Sequence, residues 1–450
     1  MRFRSKFDYL RYFNRFHKTE LAFFLINLAL FGILIYESVN TFLQFPQHTA
    51  SWKELAVSLL KTAFAVFNII WSVIGLRRDW KEDRQNDEHN VRISRSFCPA
   101  EIQAPQGWDK TPENASGEYA VFSQEVNRHL ISAKAIPLKI KEKKFDRAKV
   151  RKFIMQHRSV MFEFLNERRA DSKYKHHEFF NEEKLCLTSD DLMIEEKKEN
   201  SQASCHRGTY FSAYLTNICC KKELYGQDGM VVFDGYDYYP ATEDNFLLPL
   251  ALSPLCNNIG ISTIGITKDL YLILWIQNFK TQGNNGKLVP SGSGSCDWAD
   301  RKHGGADFAA VIRYAMQREL WEESGKKALS DSPDKIGTTR IIGYFRWLEK
   351  GGAPEFTGVT RIDHEIAGAM PNDEEVCNKD GKEPLHFRLT DRTEDALLAA
   401  VDKLIERKNI CLPLYMNLLF LKQWILAEDL PEKERETAKA ERLSFLFDER

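Results

Sequence analysis

Two long apolar stretches near the N-terminus dominate the hydrophobic pattern of this chain. The first is Leu21 to Val39, and the second, Leu55 to Leu76, contains Lys61. A run of about 20 apolar residues is long enough to cross the hydrocarbon core of a bilayer. A lysine near the end of such a span can extend its side chain to the interface. The pattern therefore predicts two transmembrane helices, at about residues 21–40 and 55–76.

Each stretch also has a competing interpretation. The first resembles the apolar part of a signal peptide, but a long segment precedes it and no small-residue cleavage site follows it. The second could be a buried amphipathic helix, because Lys61 and Asn68 interrupt it. A hairpin of two transmembrane helices explains both stretches together.

Basic residues flank the pair of stretches on both outer sides. They are Arg2, Arg4, Lys6, Arg11, Arg15 and Lys18 before the first stretch, and Arg77, Arg78, Lys81 and Arg84 after the second. The segment between the stretches, with a turn near Phe45 to Ser51, carries only Lys53. Cytoplasmic flanks of membrane spans collect Lys and Arg, so both termini are expected in the cytoplasm.

The remaining chain changes character several times. The pattern predicts a basic N-terminus at 1–20, a linker rich in Pro, Asn and Gly at 77–137, a poorly defined α+β region at 138–250, a second domain at 251–430 and a charged tail at 431–450. Lys139 to Lys152 is strongly basic and continues into 153–167, which has helical apolar spacing. This helix could contact anionic lipid or a nucleotide, although a solvated helix face explains the charges equally well.

Residues 251–430 show regular strand and helix signals. Gly260 to Gln277 consists of two β-rich runs separated by Lys268-Asp269, which predicts a hairpin. Two further strands are predicted at Thr339 to Trp347 and Phe356 to Ile362, on either side of a glycine turn, with a short one at Leu385 to Leu389. Helices are predicted at Asp391 to Lys408, opened by Thr390 or Thr393, and at Leu412 to Leu426, the latter a packed core helix and not a third span. The fold class is therefore α+β.

Composition narrows the function. A formal net charge of -1 argues against a surface that coats DNA or RNA, because such surfaces need an excess of Lys and Arg. The nine cysteines are scattered without a CxxC pair, which indicates reduced thiols. The densest group, Cys205-His206 with Cys219-Cys220, lacks the spacing of a zinc site.

An acidic run near the centre of the second domain carries the candidate chemistry. Glu319, Glu322 and Glu323 stand at i, i+3 and i+4, so they share one helix face. A hard cation such as Mg²⁺ would relieve their mutual repulsion and could bind phosphate oxygens. Arg318 would orient one of the glutamates through its forked guanidinium, and Asp307 is placed to cap the start of the helix.

The run Arg318 to Gly325 resembles the Arg-Glu-apolar-x-Glu-Glu-x-Gly core of the Nudix hydrolase family. Gly304 falls at the first glycine of that motif, but Ala310 stands where the family has its first glutamate, and Lys326 replaces the closing apolar residue. The resemblance implies a Nudix-like α/β/α sandwich at 251–430.

The same resemblance implies roles for individual residues. The metal ligands would be Glu319, Glu322 and Glu323, and Glu322 and Glu323 would also be catalytic if the domain hydrolyses its ligand. The segment Ser291, Gly292, Ser293 and Gly294 is expected to form a loop that offers backbone N–H groups to nucleotide phosphates, together with Arg318 and Trp298. Trp321, Arg301 and Lys302 are further candidates for base stacking and phosphate contacts, although packing explains each of them as well.

Two spans joined to a degenerate Nudix box resemble the transmembrane-Nudix effectors of bacterial antiphage signalling by cyclic oligonucleotides (CBASS), whose soluble part is called the SMODS-associated Nudix domain. The resemblance implies a multi-pass inner-membrane protein with both termini in the cytoplasm. Its ligand would be a cyclic oligonucleotide made by a CD-NTase-type nucleotidyltransferase, and binding would drive homo-oligomeric assembly, disruption of the lipid membrane and abortive infection.

The competing hypothesis is a membrane-tethered, Mg²⁺-dependent Nudix pyrophosphatase that acts on a nucleoside diphosphate derivative. Loss of the first box glutamate at Ala310 weakens the case for efficient hydrolysis. Slow hydrolysis of the messenger, which would end the signal, is a third possibility.

Overall fold

The computed structural model describes most of the chain in separate ranges. They are residues 18–44, 51–85, 90–93, 99–111, 117–141, 182–188, 202–225, 229–277, 286–324, 329–369, 371, 376–377, 379–380, 383–384, 386–428 and 430–447. Several predicted features lie outside these residues, namely the basic segment before Lys18, the turn at 45–50, the helix at 153–167, Gly325 and Lys326. The chain divides into two units, residues 1–89 and residues 90–450.

The first unit contains the two predicted apolar helices, α1 (Lys18–Gln44) and α2 (Trp52–Gln85). Within the described residues, two segments are long and apolar enough to cross a bilayer, Leu21–Leu43 and Trp52–Arg78. Helix α2 begins at a capping box, in which Ser51 and Glu54 exchange side-chain and backbone hydrogen bonds. The prediction of two apolar helices is confirmed, and α2 extends past its apolar part.

Polar side chains join α1 to α2. The Asn27 amide donates to Ser72 Oγ at 3.1 Å, and Ser58 Oγ donates to Ser38 Oγ at 2.7 Å. Lys61 Nζ lies 3.7 Å from Glu37 Oε2. Small hydroxyl side chains of this kind let helices approach closely in lipid and hydrogen-bond across the interface.

The second unit is built from short strands and longer helices. Its first half contains β1 (Asn90–Ile93), β2 (Asp109–Lys110), β3 (Ala120–Phe122), α3 (Gln124–Ser132), β4 (Leu138–Ile140), β5 (Glu183–Leu187), β6 (Ala203–Thr209), α4 (Tyr210–Ala213), β7 (Lys222–Tyr225) and β8 (Val231–Asp234). A π-helical turn, Tyr214–Ile218, follows α4.

The second half of this unit contains the strand pairs and helices predicted from the sequence. Its elements are β9 (Gly260–Ile266), β10 (Tyr271–Leu272), β11 (Trp275–Gln277), β12 (Leu288–Val289), β13 (Gly292–Ser295), α5 (Arg301–Gly304), α6 (Phe308–Glu323), β14 (Gly337–Trp347), β15 (Ala353–Ile362), β16 (Val376–Cys377), β17 (Lys379–Asp380), β18 (Glu383–Pro384), β19 (Phe387–Arg388), α7 (Glu394–Ile405), α8 (Leu412–Ile425) and α9 (Glu432–Phe447). The hairpin β9–β10, the strands β14 and β15 and the helices α7 and α8 are confirmed.

The main sheet is mixed. Its strand order is β19-β10-β9-β15-β14-β3-β2, and β13 also pairs with β9. Strands β9 and β15 run parallel, whereas β15 and β14 form a long antiparallel pair. Strand β13 pairs with the Gly260 end of β9 and β10 with its Ile266 end. The smaller groups are β1-β7-β8, β12-β11-β16, β17-β18 and β4-β6-β5.

Helices cover both faces of the main sheet. Tyr344 of β14 belongs to the same buried cluster as Phe308 of α6, whereas the next residue, Phe345, belongs to the cluster of Phe420 on α8. Successive side chains of a strand point to opposite faces, so α6 and α8 pack on opposite sides of the sheet. The protein is therefore α+β, with a mixed sheet between two helical layers.

Two predicted domain boundaries differ from the structure. The predicted linker at 77–137 contains the end of α2, strands β2 and β3, and α3, whose Ser123 N-cap accepts from Val126 N. The predicted tail is the helix α9, in which Leu446 and Phe447 are buried. Both segments carry short apolar runs between many polar residues, so their mean composition resembled that of exposed chain.

Candidate functional site

Helix α6 carries the acidic run and begins where the sequence predicts. The Asp307 side chain accepts from Ala309 N at 3.0 Å, which confirms it as the N-cap. Asp307 also accepts from Ile136 N at 3.0 Å, so the cap is tied to the segment before β4. A Cβ at Gly304 would overlap the backbone nitrogen of Val311, which gives this glycine a steric reason independent of any motif.

The prediction of a phosphate-binding loop at Ser291 to Ser295 is wrong, because Gly292–Ser295 forms the strand β13. Ser291 is buried, and its hydroxyl accepts from Gly265 N at 2.6 Å. The strand lies directly against α6: a Cβ at Gly292 would overlap the backbone of Leu320, and a Cβ at Gly294 would overlap the Glu319 carboxylate. The glycines therefore serve the close approach of strand and helix.

Backbone groups of β13 contact the acidic face of α6. Ser293 N donates to Glu323 Oε2 at 3.2 Å. Glu319 and Glu323 are buried, with 8% and 1% of their surface exposed, whereas Glu322 remains partly exposed. The structure thus brings Ser293, Gly294 and the glutamates together, although not in the way that a phosphate loop would.

Arg318 contacts several of the carboxylates around this helix face. Its Nε and one terminal nitrogen donate to the Asp300 carboxylate at 2.9 and 3.1 Å, and its other terminal nitrogen donates to Glu319 at 3.0 Å and Glu322 at 3.1 Å. It also donates to Ser295 O at 3.0 Å. A guanidinium that pairs with several carboxylates in a fixed geometry is a strong, directional contact.

Burial by itself would lower the pKa of Arg318, but Glu319 and Asp300 raise it above its ordinary value. The guanidinium therefore stays charged. Asp300 forms a reciprocal capping box with Asp297, which fixes the acceptor that Arg318 uses. The predicted role of Arg318 as a residue that orients a glutamate agrees with this geometry.

Lys184 is a further charge that the sequence did not reveal. It lies on β5, is 7% exposed and pairs with Asp297, while Glu182 Oε2 lies 3.3 Å from its Nζ. Burial alone would lower the pKa of Lys184, but Asp297 raises it above its ordinary value. The run Glu183 to Leu187 contains a single lysine between a glutamate and three apolar residues, which carries no recognisable motif.

The three glutamates do not converge on a common point among the described residues. Glu319 and Glu322 both face Arg318, and Glu323 faces the backbone of β13. Ala310, on the same helix, adds no carboxylate. Oxygen ligands suit Mg²⁺, so these residues have the right chemistry for it, although Arg318 already contacts one oxygen each of Glu319 and Glu322.

The aromatic candidates are engaged in packing. The guanidinium of Arg301 lies over the ring of Trp298, 3.4 Å from its centroid. The guanidinium of Arg207, which is on β6, lies 5.6 Å from the same centroid. Trp321 donates its indole N–H to Ser330 O at 2.8 Å and packs against the main core. Trp298 with its two arginines forms a basic aromatic patch, whereas Trp321 is a packing residue.

The described cysteines are free thiols, as predicted. Burial raises the pKa of Cys220 and of Cys411 to about 12. Cys256 differs, because a hydrogen bond from Cys186 lowers its pKa against the effect of burial, and His206 lowers it further. The group Cys205-His206 with Cys219-Cys220 was not expected to bind zinc, and in the structure His206 lies beside Cys186 and Cys256.

No protein-family model matches this chain, and no relative is found among curated proteins. A fold alone does not define an activity, so the function of this chain has to be inferred from its site residues and its two apolar helices.

Proposed function

We propose that this chain is a membrane effector that senses a cyclic oligonucleotide. In this proposal, residues 251–430 form a Nudix-like domain in the bacterial cytoplasm, and α1 and α2 cross the inner membrane with both termini inside. A ligand made by a CD-NTase-type nucleotidyltransferase would drive homo-oligomeric assembly of the hairpins, membrane disruption and death of the infected cell.

The observation that carries the proposal is the packing of α6 on β13 in a chain with two apolar helices. The order strand, loop, short helix and acidic helix matches the arrangement that the motif Arg318 to Glu323 implies. The steric requirement for glycine at Gly304, Gly292 and Gly294 supports a specific arrangement instead of a chance acidic run. The net charge of -1 supports a small anionic ligand over DNA.

The charge distribution favours binding over efficient hydrolysis. Ala310 removes one carboxylate from the box, and Arg318 neutralises Glu319 and Glu322 in the absence of any metal. Metal-assisted hydrolysis needs an ion that activates water beside the scissile bond. Binding needs only complementary charge and a stacking surface, which Trp298 and Arg301 offer to a phosphate-linked base, while the nearby Arg207 pairs with Glu183.

The hairpin supports an assembling membrane element. Glu37 and Lys61 lie 3.7 Å apart with about half of each side chain exposed, at 54% and 55%. Charged groups within a span tend to face a protein interior or a water-filled cavity. Packing of several hairpins would enclose them. A ligand that favours the assembled state shifts the population toward it.

The test uses the full-length protein reconstituted in dye-loaded liposomes. Addition of cyclic di- and trinucleotides with different bases should release the dye with one of them, while chromatography shows that the nucleotide is not consumed. Liposomes without protein control for direct effects of the nucleotide. If no cyclic oligonucleotide in the panel binds the protein or releases dye, the proposal fails.

A matched pair of variants separates sensing from membrane action. Ser38→Leu with Ser58→Leu replaces the hydroxyl contact between α1 and α2, whereas Leu59→Val changes an adjacent exposed side chain. The double variant should bind the nucleotide like the parent protein but lose dye release. The Leu59→Val variant should retain both.

The second candidate is a membrane-tethered Nudix pyrophosphatase, favoured by the burial of Glu319 and Glu323 on one helix face. It predicts Mg²⁺-dependent cleavage of nucleoside diphosphate derivatives that Glu323→Gln abolishes. Turnover at ordinary enzymatic rates would replace the sensor proposal with this one.

A further inference from the structure

Three potential metal ligands meet where β5, β6 and the segment before β9 come together. Cys186, His206 and Cys256 are all buried, and one ligand atom from each lies within 4.8 Å of the others. The two sulfur atoms are 3.5 Å apart. Among the described residues, these three form the one group of three or more His, Cys, Asp or Glu side chains whose ligand atoms lie close enough together to hold an ion.

The pairing of β5 with β6 positions two of the three ligands. Cys186 and His206 are direct partners in this antiparallel pair, so their side chains lie side by side on one face. Gly208 is two residues further along the same face, where a Cβ would overlap Cys186 Sγ and would lie 2.7 Å from Cys256 Sγ. The glycine therefore keeps the space that the two sulfur atoms occupy.

The third ligand is held by a network of side chains from the π-helical turn. Cys256 N donates to Thr216 Oγ1 at 3.0 Å, and Asn257 N donates to Asn217 Oδ1 at 2.8 Å. Asn217 Nδ2 donates back to Asn257 Oδ1 at 3.1 Å. Asn257 has a φ of 55°, a left-handed conformation that Asn tolerates better than most residues. The position of Cys256 is thus set before any ion binds.

The imidazole is oriented in the way that metal-bound histidines usually are. His206 Nδ1 lies 3.2 Å from Thr188 Oγ1, which leaves Nε2 to face the cysteines. A hydrogen-bond partner on the second ring nitrogen fixes the tautomer and the ring plane of a metal ligand. Thr188 directly follows β5, the strand that carries Cys186.

The dimensions suit a thiophilic ion better than a disulfide. A zinc–sulfur bond of about 2.3 Å places two tetrahedral ligands about 3.8 Å apart, close to the observed 3.5 Å. A disulfide would need the sulfurs at about 2.05 Å. Thiolate and imidazole ligands select Zn²⁺ or Cu⁺ over Mg²⁺ and Ca²⁺.

We infer that Cys186, His206 and Cys256 form a three-ligand site for one thiophilic cation, Zn²⁺ or Cu⁺. The ion replaces the two thiol protons, which are released to solvent, and binds the neutral imidazole. It ties β5 and β6 to the segment that leads into β9. This site is independent of the proposed nucleotide site, so either proposal can fail while the other stands.

The test measures metal in full-length protein purified in detergent without chelators. Inductively coupled plasma mass spectrometry should find about one zinc or copper per chain, and its identity distinguishes the two ions. Cys186→Ala and Cys256→Ala should each lower the content at least tenfold. Cys205→Ala is the matched control, because Cys205 is a buried cysteine next to His206 on β6 that belongs to the apolar core on the other face, and it should keep the full metal content.

A second measurement uses the parent protein and therefore does not depend on whether the variants fold. Protein stripped of metal and given Co²⁺ should develop a thiolate-to-cobalt charge-transfer band, and Zn²⁺ should remove it. The inference is overturned if the parent protein carries no metal and binds none of these ions. It is equally overturned if Cys256→Ala keeps its metal, or if alkylation without reductant shows a bond between Cys186 and Cys256.

Discussion

Glu349 is a carboxylate that folding removes from water. It is 7% exposed, and Tyr119 N donates to both of its oxygens at 3.0 and 3.1 Å. Burial, opposed in part by this hydrogen bond, raises the pKa of Glu349 to about 7, with Glu118 adding to the rise and Lys221 opposing it. The folded state therefore holds a proton that the unfolded chain releases near pH 4.5.

A pH dependence of stability follows at this residue. Because the folded pKa is raised, the contribution of Glu349 is fully present below about pH 4.5 and is lost as the pH rises through about 7. The loss amounts to about 3 kcal/mol for a shift of this size. Urea unfolding of the parent protein and of Glu349→Gln should show the parent losing stability relative to the variant between pH 5 and 8. A constant difference in the free energy of unfolding across that pH range would contradict the raised pKa of Glu349.

Single residues could be predicted only where a local pattern marks them. Glu319 and Glu323 are recognisable because their spacing places them on one helix face, and Asp307 because it precedes a helical run. Asp300 and Lys184 are not, since their importance depends on Arg318 and Asp297, which approach them through the fold.

The contact between the strand β13 and the helix α6 predicts that substitutions along β13 differ in their effect on stability. Gly292→Ala should lower the free energy of unfolding by about 3 kcal/mol, because its Cβ would overlap the backbone of Leu320, which cannot move independently. Gly294→Ala should cost less, since it meets the flexible end of Glu319. Ser295→Ala, in the same strand, should change little. Equal effects in chemical denaturation would contradict this contact.

Elements with long periodic patterns could be predicted, and short ones could not. The strands β14 and β15 each have ten or more residues and flank two glycines, so their pairing is evident in the sequence. The sequence of β13 predicts a loop, because Gly and Ser have low strand propensity. Only the close packing of α6, invisible in a one-dimensional pattern, explains why small residues form a strand there.

At the scale of the whole molecule, the two units have separate interiors. The buried clusters of the described residues in the second unit begin at Ile102 and include no residue of α1 or α2. Unit boundaries with this property often mark segments that fold alone. The first unit consists of two long apolar helices whose large hydrophobic side chains are mostly exposed.

Residues 90–450 expressed without the hairpin should therefore remain folded in buffer without detergent. The expected result is a monodisperse peak in size-exclusion chromatography and a cooperative melting transition within a few degrees of the full chain. Under the proposed function, this fragment should bind the nucleotide but release no dye from liposomes. Aggregation of the fragment, with full-length protein stable in detergent, would show that the second unit depends on the first.

The contact between Glu37 and Lys61 has an electrical consequence for the proposed effector. Moving one elementary charge through a membrane potential of 100 mV changes the energy by about 2.3 kcal/mol. Glu37 and Lys61 lie 3.7 Å apart and carry opposite charges, so a hairpin that shifts with both of them does no net work against the potential. This pair therefore adds no voltage dependence of its own to the proposed switch.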